Sequence, residues 1–193
     1  MRGWARSAVS GFVCLAFLSA CGGLAAREQG QDLSGFLQSL REAKQKGEVG
    51  SVEGYVYLIM PGVPTPLKNW AVHLIPLSSG LEASVASAQE RFARNGRTPL
   101  SVEALGQARR PIDDYLKEMA RLGHAGLILP AKTGTQEPKF TFNDVPVGRW
   151  LLMTELSSKI SVLLWAHPVT VAKGDLVRQT LNDGNVWLEG LTP

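Results

Sequence analysis

The chain has 193 residues, 45% of them hydrophobic and 19% charged. Its 20 Lys and Arg against 17 Asp and Glu leave a formal charge of +3 with no basic run, which argues against a nucleic-acid binder held by phosphate contacts. Both cysteines, Cys14 and Cys21, lie near the N-terminus, so the body of the chain cannot be a disulfide scaffold.

Arg2 and Arg6 precede an uncharged apolar run over residues 8–20. That run is short for a bilayer span and reads as the apolar region of a secretory signal. It ends in Leu18-Ser19-Ala20-Cys21, followed by Gly22 and Gly23. These residues resemble the lipobox of a bacterial lipoprotein, with cleavage between Ala20 and Cys21 and acylation of Cys21. Bulky Val13 before Cys14 makes that cysteine a poor cleavage point. The resemblance implies a membrane partner reached through two or three acyl chains, where one alone would hold only marginally. Gly22 rather than Asp after the cysteine implies the outer membrane more than the inner, on the periplasmic face. Without Arg2 and Arg6 the formal charge falls to about +1.

Residues 21–31 are small and polar and read as a flexible tether. Over residues 32–48, Leu33, Phe36, Leu37 and Leu40 follow helical spacing, with Asp32 placed to cap and Gly47 to stop a short amphipathic helix. From Gly50 the period changes to two. Val52, Gly54, Val56 and Leu58 alternate with Glu53, Tyr55, Tyr57 and Ile59 as a strand. Pro61, Pro64 and Pro66 then predict a corner that cannot continue a ladder, and residues 70–77 a second strand.

Residues 81–123 break the rhythm and read as an α-helical insertion. Leu81, Val85, Ala88 and Phe92 form one helix ended by Asn95-Gly96, and Ser101 caps a short turn through Leu105. Pro111 is placed at the first position of a further helix that Gly123 stops. Strands are expected again at residues 126–129, 139–142, 150–155, 160–166, 169–172 and 176–181, each bounded by turn residues. The weak alternation in residues 160–165 predicts that one face of that strand is covered by the insertion. Many short strands favour a mainly β, antiparallel sandwich over residues 49–193.

Four stretches occur in order: "GSVEGYVYL", "KNWAVHLIPL", "KFTFNDVPVGRWLLM" and "VLLWAHPVTVAKGDLVRQTL". Together they resemble the carboxypeptidase regulatory-like domain, a transthyretin-like β-sandwich. The resemblance covers residues 50–185 and implies an Ig-like or transthyretin-like sandwich. The chain departs from it in the long helical segment, and in Thr133-Gly134-Thr135-Gln136 where an Asp-x-x-Gly step is usual. In the Val-Pro-x-Gly corner, Pro146 sets the bend and Gly148 supplies a positive φ, so the corner shapes the fold.

Little chemistry is visible. His73, His124 and His167 have no ligand-type partner at i+2 or i+4, so no metal or cofactor is expected. No nucleophile motif or phosphate loop occurs. Asp113 and Asp114 point about 100° apart on a helix and complement its dipole rather than share a proton. Trp165, His167, Trp187 and His73 form the candidate binding surface. Outward rings would stack on a sugar, and inward rings would fill the sandwich. The reading is a non-enzymatic, lipid-anchored module of the cell envelope that binds or scaffolds another envelope protein. A carbohydrate- or peptidoglycan-binding module and an accessory subunit of an envelope enzyme are the alternatives.

Overall fold

The computed structural model describes residues 21–60, 63–93 and 99–192. The signal peptide expected over residues 1–20, the Cys21 side chain and the Asn95-Gly96 stop lie outside them. Helix α1 (Cys21–Gln45) leads into strands β1 (Val49–Met60), β2 (Val63–Pro66) and β3 (Ala71–Pro76). Helices α2 (Ser79–Ala93) and α3 (Val102–Arg121) follow. The chain then runs through β4 (Leu129–Lys132), β5 (Lys139–Pro146), β6 (Gly148–Ser157), β7 (Ser161–Val171), β8 (Leu176–Leu181) and β9 (Leu188–Leu191).

Two sheets form a β-sandwich. The larger has the order β4-β3-β6-β7-β9 and is antiparallel throughout. The smaller is organised around β1, which pairs antiparallel with β5 and β2 along one edge and parallel with β8 along the other. Val56 marks the hand-over on the first edge, donating to the Pro138 carbonyl and accepting from the Leu67 amide.

Side-chain alternation places the core. Val52 and Val56 of β1, Phe140 and Phe142 of β5, and Leu181 of β8 turn inward. They meet Val72, Leu74, Trp150, Leu152 and Trp165 from the larger sheet. Gly54 sits in the same inward row because nothing larger fits. A Cβ there would lie 1.7 Å from the Gln179 carbonyl oxygen of β8 and 2.6 Å from Phe140 Cζ.

The larger sheet is apolar on both faces. Leu151, Met153, Val162, Leu164 and Leu188 point away from the smaller sheet and are nonetheless buried. Helices α2 and α3 cover them, as the alternation in β7 predicts. Leu81, Val85, Ala108, Ile112 and Met119 supply the facing apolar stripes. Gly190 of β9 permits the approach of α3, since its Cβ would fall 2.7 Å from Leu105 Cδ2. Arg149 of β6 reaches Glu82 of α2, and Arg109 of α3 reaches Glu155 of β6.

The Val-Pro-x-Gly corner carries the chain from the smaller sheet into the larger. Gly148 has φ +149, the positive value expected there. The indole N–H of Trp150 donates back to the Pro146 carbonyl at 2.9 Å, pinning the corner from inside. Thr133, in the segment that departs from the family pattern, also fixes a turn. Its hydroxyl donates to the Leu67 carbonyl at 2.7 Å and accepts from the Trp70 amide at 2.8 Å.

Several expectations are corrected. Residues 21–31 are not a tether but the start of α1, whose Ala25, Ala26, Arg27, Glu28 and Gln29 are strong helix formers. The proline corner forms β2, an edge strand. The Pro64 and Pro66 pairs with Ile59 and Tyr57 are the ones in which a strand amide points away from the partner, so the missing N–H costs nothing. Pro111 does not start a helix; it lies inside α3, which runs unbroken from its Ser101 cap and stays helical because Ala108, Ile112, Tyr115 and Met119 anchor one face. Of residues 126–129, Gly126 and Leu127 belong to a 3₁₀ turn (Ala125–Leu127), and the strand begins only at Leu129. Residues 160–166 and 169–172 merge into β7, because Pro168 directs its absent N–H to the edge beyond the end of β9. Strand β9 was not expected; its few residues, Gly190 among them, give no periodic signal.

Helix α1 docks through buried Leu37 and Leu40, with Leu40 against Gly148. Arg41 Nη2 donates to the Gly123 carbonyl at 2.6 Å. Next to it His124 is buried, and its Nδ1 has no partner among the described residues. Burial, and then the Arg41 guanidinium, push the His124 pKa below its ordinary value. The unfolded chain therefore binds this proton more readily than the folded one. Stability present above the ordinary histidine pKa is lost as pH falls through that value towards the folded one. Between about pH 7 and about pH 5 the wild type loses stability, and His124→Gln loses less, as read from urea midpoints. An equal slope in both proteins would contradict this. Gly54→Ala is expected to lower stability by about 3 kcal/mol or more, because backbone rather than a flexible side chain opposes the new methyl; chemical denaturation checks it.

Candidate binding surface

The residues singled out in the sequence do not assemble into an exposed platform. Trp165 is 0% exposed, and its indole N–H donates to the Asn182 carbonyl at 2.7 Å. Trp187 is 7% exposed in the segment leading to β9. His167 Nε2 lies 2.6 Å from the Asn185 carbonyl oxygen. These three therefore close the crossover from β8 to β9 around the 3₁₀ turn Asp183–Asn185. That turn is itself fixed by a capping box between Asn182 and Asn185. His73 is on the other face of the larger sheet, opposite Met153, while His167 pairs with inward-facing Leu152. The His73 side chain reaches solvent, and the partial desolvation of its ring lowers its pKa. The stacking role for Trp165 and Trp187 is corrected: both rings belong to the interior, where large aromatic surface is best buried.

The helical layer offers a shallow cleft of about 380 Å³ between α2 and α3, edged by Ser84, Ser87, Arg91, Phe92, Gln107 and Pro111. The Arg91 guanidinium sits 5.4 Å from the centre of the Phe92 ring. The cleft has no nucleophile with a base. Among the described residues of α2 and α3, the apolar stripes face the sheet and Val102 is the large hydrophobic side chain exposed.

What remains open is the outer face of the smaller sheet. Its rows follow from the register. Arg178, Glu53 and Thr141 stand abreast, then Thr180, Tyr55 and Lys139, then Tyr57 beside Pro66, and Ile59 beside Pro64. Tyr55 is 43% and Ile59 48% exposed. Tyr57 is oriented by Asn182 Nδ2, which donates to its hydroxyl at 3.3 Å. Successive outward residues on a strand are roughly 7 Å apart, so Tyr55 and Tyr57 form a short aromatic ladder.

Glu53 organises the charge on this face. Its carboxylate accepts from Lys139 Nζ at 2.7 Å and from Arg178 Nε at 2.9 Å. Lys139 and then Arg178 hold the Glu53 carboxyl below the usual carboxylate range, and Glu53 raises the Lys139 ammonium in return. Glu137 also raises the Lys139 ammonium, so two carboxylates stand against the two cations. The sequence displayed the alternation of Glu53, Tyr55 and Tyr57, but their neighbours on β5 and β8 come only from the register.

Among the described residues no three His, Cys, Asp or Glu side chains converge in a metal-binding group. No helix among them is long and apolar enough to cross a membrane. No family model and no curated protein matches the chain. Solved structures do. A candidate carbohydrate-binding protein from Pseudomonas aeruginosa is 21% identical, with TM-score 0.42, over 70% of this chain and 88% of its own. The minor pilin GBS52 of Streptococcus agalactiae is 11% identical, with TM-score 0.38, over 76% of this chain and 46% of its own. The major pilin SpaD of Corynebacterium diphtheriae is 14% identical, with TM-score 0.38, over 69% and 29%.

If Trp165 is core, Trp165→Ala should cost about 3–5 kcal/mol of stability, measured by denaturant unfolding, whereas Tyr55→Ala should cost much less. A Trp165 variant of undiminished stability would place that ring outside the core.

Proposed function

We propose that the chain is a lipid-anchored, non-catalytic binding module of the cell envelope. It engages its partner through the outer face of the smaller sheet. The observation that carries this reading is the unequal covering of the sandwich. Helices α2 and α3 cover the middle of the larger sheet's outer face, while the smaller one presents Tyr55, half-buried Tyr57 and an ordered charge cluster. A face that the described residues leave uncovered, furnished with aromatic and cationic side chains, suits recognition.

Anchoring rests on Leu18-Ser19-Ala20-Cys21 and the charged and apolar residues before it. Acylated Cys21 would place the module on the periplasmic face of the membrane, in the outer one by the Gly22 criterion. There it would scaffold another component of the envelope.

Two measurements test the proposal. Fatty-acid labelling of cells should mark the wild type but not Cys21→Ser, which should move from the membrane to the soluble fraction. A photo-crosslinking residue in place of Tyr55 should capture envelope material, whereas one in place of Lys117 on the helical layer should not. Capture from position 117 alone would move the binding face to the helices.

A further inference from the structure

We infer that the end of the β1–β2 hairpin, Ile59 and Val63 with Pro64, is a membrane-contact element whose apolar side chains enter the surface of a lipid bilayer. This goes beyond the proposed binding face and does not depend on it.

The register isolates this end. Strand β5 leaves β1 at the Tyr55–Lys139 pair, and β8 leaves it at the Val56–Leu181 pair. Beyond them, residues 57–60 of β1 continue with residues 63–66 of β2 alone. Leu58 and Leu67 pack against the core. Ile59 and Val63 stay outside it, 48% and 64% exposed, beside exposed Pro64. The sequence has no charged residue between Glu53 and Lys68. A projecting ribbon in water is commonly guarded by charge, above all by lysine, and this one is not. The same absence removes the cost of taking a charge out of water, which would oppose entry into lipid.

The backbone favours lipid over another chain. The amides of residues 64 and 66 would point out from the free edge of β2, and both residues are proline. That edge therefore has no donor at those positions for a strand of a second protein. A bilayer surface asks for apolar side chains and for no register. Behind Ile59 the outward row continues through Tyr57 and Tyr55 in steps of roughly 7 Å. Apolar side chains followed by amphipathic rings match the succession from acyl chains to headgroups. Asp183 is the acid beside the tip, and its carboxylate accepts the Ile59 amide at 3.2 Å. With no cation between Glu53 and Lys68, the contact draws nothing from anionic lipid. So small an element binds weakly by itself, and it acts where the chain is already held at the bilayer.

The test uses the full chain reconstituted into vesicles of phosphatidylcholine and phosphatidylethanolamine. An environment-sensitive fluorescent amino acid stands in place of Val63 in one sample and of Lys117 on α3 in another. Emission from position 63 should lie to the blue of that from position 117, and spin-labelled lipid should quench the first and spare the second. Ile59→Asp should abolish both effects at position 63. Ile59 is exposed, so that variant should keep the wild-type unfolding midpoint within error. Raising salt should leave the signal unchanged. Equal emission and quenching at the two positions would overturn the inference. So would a blue shift that spin-labelled lipid does not quench, which would put the hairpin against protein, or a signal lost in salt, which would make the contact electrostatic. The readout is local, so it serves whether acyl chains on Cys21 or the apolar run over residues 8–20 hold the chain at the bilayer. Its failure would leave capture from Tyr55, and with it the proposed binding face, untouched.

Discussion

A strand that is apolar on both sides must be covered twice. Leu151 and Leu152 are neighbours on β6, face opposite ways and are both fully buried. Exposing either row would forfeit roughly 1.5–3 kcal/mol per large side chain. The smaller sheet covers one row and α2 with α3 the other. The helical segment is therefore the third layer of the fold. The smaller sheet's outward residues are mostly polar or amphipathic, with Ile59 and Leu176 exposed among them, and the described residues give it no second cover. Both the architecture and the open face follow from this one asymmetry.

Much of this was legible in the residues. The two-residue period in β1, the helical spacing of residues 81–92 and the proline–glycine corner all report local geometry, which a short window of sequence encodes. The weak alternation in β7 carried the covering of its outer face, because a buried outer row cannot be polar. The prolines misled. Pro64, Pro66, Pro111 and Pro168 each mark a missing donor, but whether that matters depends on which neighbour faces the position. Pro64, Pro66 and Pro168 turn it away from the partner strand, and in α3 the anchored apolar face overrides the break. The tryptophans misled for a related reason, since a large aromatic has the same local sequence signature inside or outside. The candidate face joins β1 to β5 and β8, far apart in sequence, and no local rule supplies that register.

The electrostatics divide into two kinds. Arg110–Asp114, Lys117–Asp114 and Arg121–Glu118 on α3 are exposed pairs within one helix and contribute little. The Glu53 cluster ties three strands together and sits beside aromatic rings. Its geometry holds two cations at fixed places on the sheet.

The parallel pairing of β1 with β8 joins residues 51–56 to residues 176–181. A chain emerging N-terminus first can build the β3–β6 pairing and the helices beneath it well before that junction exists. The candidate face thus matures only after β8 has joined β1. A polypeptide interrupted before its final strands would be a recognisable but blind scaffold. On the proposed reading, the pairing that completes this sheet would also be the one that confers competence to bind.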